Sequence, residues 1–368
     1  MGRLRDHEGS CSDDEAHGGA GMTRQTWTAV VSALTLIVLA GVIAFTPIPY
    51  VAWDPGVTND VLGSSDGVDE ITISDVATSG TTGRLLLTSV SVTSSDAALT
   101  LPAAFLNYLR GSHDVVPRDW AYPVGRSDSD LANDEAQSMN EAEQGATVAA
   151  LGAAGIPVQE NPLVDSVSTG GPAYELLQTG DIIETVNDTP VTTSDEVNGI
   201  VRSLAVGATA TFGIVRGGSS MVVPVTTQAS STDRTVPRVG ITMRPGYRYA
   251  PRIEFNVPGR VADESSGLVL SLAIYAKLRS EDLMASRVVA GTGTIEANGT
   301  VGAVPAVAEK MRGAEQDGAQ IFLVPAANCS DAAGVATDME LVRVAKLSDA
   351  VSSLDALAQG HPETVPRC

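Results

Sequence analysis

Lysine and histidine are nearly missing from this chain. Among 368 residues there are 23 Lys and Arg, and only Lys277, Lys310 and Lys346 are lysines; His7, His17, His113 and His361 are the four histidines. The scarcity removes whole mechanisms. A P-loop needs Lys followed by Ser or Thr, whereas these lysines precede Leu278, Met311 and Leu347. An HExxH helix or a three-His zinc site cannot be built from His113 and His361, so neither metal nor other cofactor is expected. A Ser-His-Asp triad would need one of the same two, of which His113 lies beside Gly111 and His361 in a Pro/Gly-rich tail. Positive charge is short altogether. With 44 Asp and Glu the net charge is -21, which excludes nucleic acid as the main partner because phosphate binding needs clustered cations.

What is present supports folded cores: 43% of residues are hydrophobic, and the length suits two or three domains. Residues 1–24 are polar and aperiodic and read as a disordered cytoplasmic tail, with Met22 an alternative start. An uncharged run from Trp27 to Phe45, closed by Pro47 and Pro49, has about the 20 apolar residues of a spanning helix, so residues 25–48 are expected to cross a membrane once. A signal peptide is the competing reading, with a weak cleavage match at Val42-Ile43-Ala44; the run exceeds a usual apolar signal core. Arg24 on the inner flank favours an inside N-terminus, placing the C-terminal ectodomain outside the cytoplasm. Cys329 and Cys368 then lie in an oxidising compartment and can pair, or remain a buried and a terminal thiol.

Residues 50–144 show β-rich stretches such as Arg84–Val92 and helices near Leu101–Leu109 and Asp130–Leu151, without evident chemistry. They are expected to form a connecting α+β module. From Leu163 the order is strand Leu163–Val167, turn Thr169–Pro172, helix Ala173–Leu177, then Gly180-Asp181-Ile182-Ile183 and Val186-Asn187-Asp188-Thr189-Pro190-Val191. A helix Ser194–Leu204 capped by Ser194 and strands Thr209–Val215 and Met221–Thr226 follow. This run resembles a PDZ domain, set at residues 145–230. The resemblance implies that an extended peptide adds as a strand between Leu163–Val167 and Ser194–Leu204. Gly155-Ile156-Pro157-Val158 is the nearest, poorly matched, candidate for its carboxylate-binding loop.

Residues 236–358 carry the candidate chemistry. Strand Ile253–Val257 leads to Asp263-Glu264-Ser265-Ser266-Gly267 and an apolar helix; Ala290-Gly291-Thr292-Gly293-Thr294-Ile295, Lys310 and Phe322-Leu323-Val324-Pro325-Ala326-Ala327-Asn328-Cys329 follow. These segments resemble the proteolytic domain of Lon proteases, most closely the membrane-anchored, PDZ-containing Lon-like proteins of bacteria that lack the ATPase module. The resemblance implies Ser265 as nucleophile, Lys310 as its base and Thr292 as the group holding their geometry. Ser266 is a rival nucleophile. Lys277 and Lys346 read as solvated helix positions.

The chemistry is coherent on its own terms. A serine at a strand-to-helix turn is near helix N-terminal N–H groups. A lysine becomes a base when burial lowers its pKa, which arginine cannot do. Two departures stand out: the family's Gly-Pro before the serine is Asp263-Glu264, and its Gly-Gly before the lysine is replaced around Pro305-Ala306-Val307. The expected protein is therefore α+β: a transmembrane helix, a PDZ domain, a Lon-type domain with a Ser-Lys dyad, and a C-terminal tail at 359–368. Its expected work is ATP-independent endopeptidase action on extended polypeptides, or, with catalysis lost, service as a binding scaffold. Hexameric assembly and an actinobacterial source are implied by the resemblance, the latter also by the Arg- and Ala-rich composition.

Overall fold

In the computed structural model, which describes residues 23–94, 99–110, 114–123, 125–259 and 262–368, the apolar run becomes helix α1 (Arg24–Phe45), capped by Thr23. None of its residues is buried. The N-terminal tail with Cys11, and also His113, Arg260 and Val261, lie outside the described residues.

The stretch expected to be a connecting module is instead part of the main domain. Strands β1 (Tyr50–Asp60), β2 (Ile71–Ser74) and β3 (Arg84–Val92), helix α2 (Leu101–Arg110), strand β4 (Asp114–Pro117) and helix α3 (Asp128–Ala153) precede the PDZ-like segment. Strands β5 (Gln159–Val167), β6 (Ile182–Val186), β7 (Thr209–Arg216), β8 (Ser219–Thr226) and β9 (Ile241–Arg248), with helix α4 (Ser194–Ser203) between β6 and β7, make up that segment. After it come β10 (Arg252–Phe255), helix α5 (Gly267–Leu278), β11 (Val288–Gly291), helix α6 (Val307–Gln316), β12 (Ile321–Pro325), β13 (Glu340–Val344) and helix α7 (Leu347–Ala358).

One sheet has the order β13-β12-β11-β3-β1-β4, so its middle joins strands from both sides of the PDZ segment. β3 pairs in parallel with β11, Leu85 opposite Val289. The reason is apolar content: Leu85, Leu86 and Leu87 are buried on both faces, which a linker strand would not permit. Leu85, Leu87, Ala146, Ala149 and Ala150 share one core with Leu268–Ile274, Val289 and Leu323. Residues 236–358 are thus half of a domain whose other half is residues 50–153.

The terminal stretch is also built in. Arg367 bridges Val342, the Arg343 N–H donates to the Pro366 carbonyl at 2.9 Å, and Cys368 is bonded to Cys329. In the second sheet, order β8-β7-β6-β5-β9, the turn at Asn187-Asp188 has both φ values positive, the form that closes a tight hairpin. The α4 cap is Thr193, one residue before the expected Ser194, in a reciprocal box with Glu196. Residues 173–177 are turns rather than a helix.

Candidate functional site

Ser265, Thr292 and Lys310 come from three separate elements and meet in the interior. Ser265 sits in a 3-10 turn, Glu264–Ser266, just ahead of α5; Thr292 follows β11; Lys310 is in the first turns of α6. Their exposures are 2%, 1% and 2%. The Lys310 ammonium nitrogen donates a short hydrogen bond to Ser265 Oγ and a longer one, 3.4 Å, to Thr292 Oγ1. Thr292 Oγ1 in turn donates to the Ser265 carbonyl at 3.3 Å. The backbone locks the same corner: Gly293 N–H donates to the Ser265 carbonyl at 2.8 Å and Leu268 N–H to the Gly293 carbonyl at 2.9 Å.

Burial sets the electrostatics. Desolvation pushes the Lys310 pKa below its ordinary value, while the nearby Asp263 and then Glu264 carboxylates pull it back up. Lys310 Nζ lies 3.7 Å from Asp263 Oδ2. Asp263 Oδ1 accepts both from Ser265 Oγ and, at 2.9 Å, from the Ser265 N–H. A carboxylate therefore holds the N–H that would otherwise be free to face a developing oxyanion. That Asp263 also bridges the serine and the lysine depends on the turn geometry, which the sequence does not display.

The remaining candidates fall elsewhere. Ser266 Oγ accepts from the Asp263 N–H at 2.9 Å and serves as part of the turn's cap. Lys277 pairs with Asp69 and donates to the Ile71 carbonyl, so it is a strut between α5 and β2 and not a solvated position. His361 is exposed beside Glu363. Ala306, at the start of α6, has φ 54°, ψ 37°, a left-handed conformation that suits glycine better than a residue with a Cβ. Among the described residues no group of three His, Cys, Asp or Glu is placed to hold a metal.

The peptide groove expected beside β5 is not open there. β5 is paired with β9 along its whole length, Gln159 opposite Arg248 to Val167 opposite Ile241, and meets β6 at Leu163 and Ile182. The free edge belongs to β9, which ends the sheet next to α4. A cleft there is lined by Val197, Val201 and Arg202 of α4 and by Val239, Ile241 and Met243. The loop entering β9 is Pro237-Arg238-Val239-Gly240, with Gly240 at φ 77° packed against Pro172. Gly155–Val158 lies instead at the far end, before Gln159. The alternation Val239-Gly240-Ile241 was the available signal, but it falls beyond residue 230.

Comparison with known proteins reaches from the C-terminal part of α3 to just past β8. The PDZ domain model matches residues 142–227. Among solved structures, the PDZ domain of the SdrC-like protein from Listeria monocytogenes is 25% identical, over 23% of this chain and 86% of that one, with a TM-score of 0.21. The corresponding domain from Listeria innocua is 24% identical over 23% and 92%, TM-score 0.21. A structure from Geobacillus thermodenitrificans is 22% identical over 22% and 94%, TM-score 0.21. No curated protein matches the chain. The chain contains a PDZ domain, a fold that binds peptides, behind an N-terminal helix apolar and long enough to cross a membrane.

Proposed function

We infer that this protein is a membrane-anchored, ATP-independent serine endopeptidase acting on extended polypeptides outside the cytoplasm, with the PDZ domain gathering substrate. The observation that carries this reading is the buried Lys310 with its nitrogen on Ser265 Oγ, in a chain that otherwise nearly does without lysine. Buried lysine is costly as a cation and useful as a base.

In the proposed reaction neutral Lys310 takes the Ser265 hydroxyl proton as Oγ bonds to the scissile carbonyl carbon. The C–N bond then breaks and the amine leaves with that proton, giving an acyl-enzyme. Lys310 next takes a proton from water, whose oxygen attacks the ester, and Ser265 leaves reprotonated. Thr292 accepts a hydrogen bond from the lysine and so fixes its direction. The test is cleavage of casein or a peptide library by the full chain in detergent. Wild type should turn over, and Ser265→Ala and Lys310→Ala should each lose at least about a hundredfold in kcat. Activity surviving both substitutions would sink the dyad.

The second reading, a PDZ scaffold on a silent protease-like fold, is favoured by one contact: Asp263 bridging Ser265 and Lys310. Peptide binding without any turnover by folded protein would select it.

A further inference from the structure

Aromatic residues are scarce, 4% of the chain, yet the exposed ones are not scattered. Seven aromatic side chains are exposed among the described residues: Trp27, Phe45, Tyr50, Phe105, Trp120, Tyr174 and Tyr249. The first five gather at the two ends of α1. Trp27 is in its first turn and Phe45 is its last residue. At the Phe45 end three segments are tied together. The Ile48 N–H donates to the Leu99 carbonyl at 2.9 Å and Pro47 bridges Thr100, immediately before α2. The Arg118 N–H donates to the Pro49 carbonyl at 3.0 Å, opening the single helical turn Arg118–Ala121 that carries Trp120.

Over residues 101–106, whose side chains are described, helix α2 is inverted relative to a helix on a water-facing surface. Its small residues Ala103 and Ala104 are half-buried, while Leu101, Phe105 and Leu106 are 51%, 60% and 50% exposed. A helix facing water puts its large apolar side chains inward. Trp120, 71% exposed, adds to the same end of the molecule.

We propose that α2 and Trp120 form a lipid-facing collar that lies in the membrane interface where α1 leaves the bilayer. This rests on α1 being an uncleaved membrane span. The occupant follows from covalent and hydrogen-bonded continuity with α1, and from the Trp and Tyr belts that mark both ends of spanning helices. The attraction is apolar insertion; a chain of net charge -21 gains nothing from anionic headgroups. The collar would hold the domain at a fixed height and tilt above the bilayer.

The test uses the full chain in phosphatidylcholine nanodiscs with brominated acyl chains, which quench nearby tryptophan. Two single-tryptophan forms are compared: Trp27→Phe with Trp53→Phe, leaving Trp120, and Trp53→Phe with Trp120→Phe, leaving Trp27. Both emissions should fall about twofold relative to unbrominated lipid, as expected for indoles seated at the interface. Adding Phe105→Glu and Leu106→Glu should relieve the quenching of Trp120 alone. Trp27 quenched with Trp120 open to acrylamide would overturn the collar and leave the anchor standing. Trp120 shielded from bromine and acrylamide alike, in discs holding two chains, would overturn it in favour of a contact between copies. An unquenched Trp27 would remove the anchor and the collar together.

Discussion

Asp263 decides how the candidate site behaves at the scale of single residues. Its carboxylate raises the Lys310 pKa that burial lowers, and it accepts the Ser265 N–H. If neutral Lys310 is the working base, turnover rises with pH as the lysine loses its proton. Removing Asp263 removes an upward pull, so the lysine deprotonates at lower pH. Asp263→Gly should therefore move the rising limb of kcat/KM to lower pH and increase activity below it; a limb that stays in place would clear Asp263 of this role. The loss of a turn cap works in the opposite direction on stability, by about 1 kcal/mol. Ala306 offers an independent check on the neighbouring helix. Its left-handed φ of 54° costs roughly 1–2 kcal/mol in a residue with a Cβ, so Ala306→Gly should raise the thermal midpoint. An unchanged or lower midpoint would show that the strain is already relieved by packing.

At the scale of elements, structure set by local composition, periodicity and turn residues is visible in the sequence, and long-range strand pairing is not. Helix α3, the Asn187-Asp188 hairpin and strands β3 and β7 were legible because their signals are local: helix-forming composition in α3, turn residues in the hairpin, an unbroken β-rich run in β3 and alternation in β7. The neighbour of β5 was not, since β9 is separated from it by the whole PDZ sheet and no local pattern names its partner. The groove consequently moves to β9 and α4. An extended peptide added to the β9 edge would set a side chain against Val197, Val201 and Ile241. Ile241→Glu should weaken peptide binding by at least about tenfold, the size of a truncated hot spot, with the fold retained. Val158→Glu, at the far end of β5 from this cleft, should leave binding unchanged. Calorimetry on both variants with one bound peptide separates the two grooves.

For the whole molecule the consequence is an insertion. The PDZ strands enter at β5 and leave at β9, and Gln159 and Arg248 are directly paired, so the cut ends lie side by side. The domain bearing Ser265 and Lys310 is completed by residues on both sides of that cut, through β1, β3 and α3 before it and β11, β12 and β13 after it. Its far end is pinned as well: the Cys329–Cys368 bond, spanning 39 residues, is worth about 4 kcal/mol in the chain-entropy account. Cys329 directly follows Asn328, whose amide bonds the Val304 N–H and carbonyl before α6, so the bond braces the segment that delivers Lys310. Replacing residues 159–248 by two glycines should then leave a folded domain in which a fluorophosphonate probe still labels Ser265, while peptide capture is lost. Residues 236–368 expressed alone should not fold, because Leu85, Leu87 and Ala146 would be missing from the core. A cooperative thermal transition in that fragment would show that the second half of the domain is self-sufficient, and the two-sided architecture would have to be abandoned.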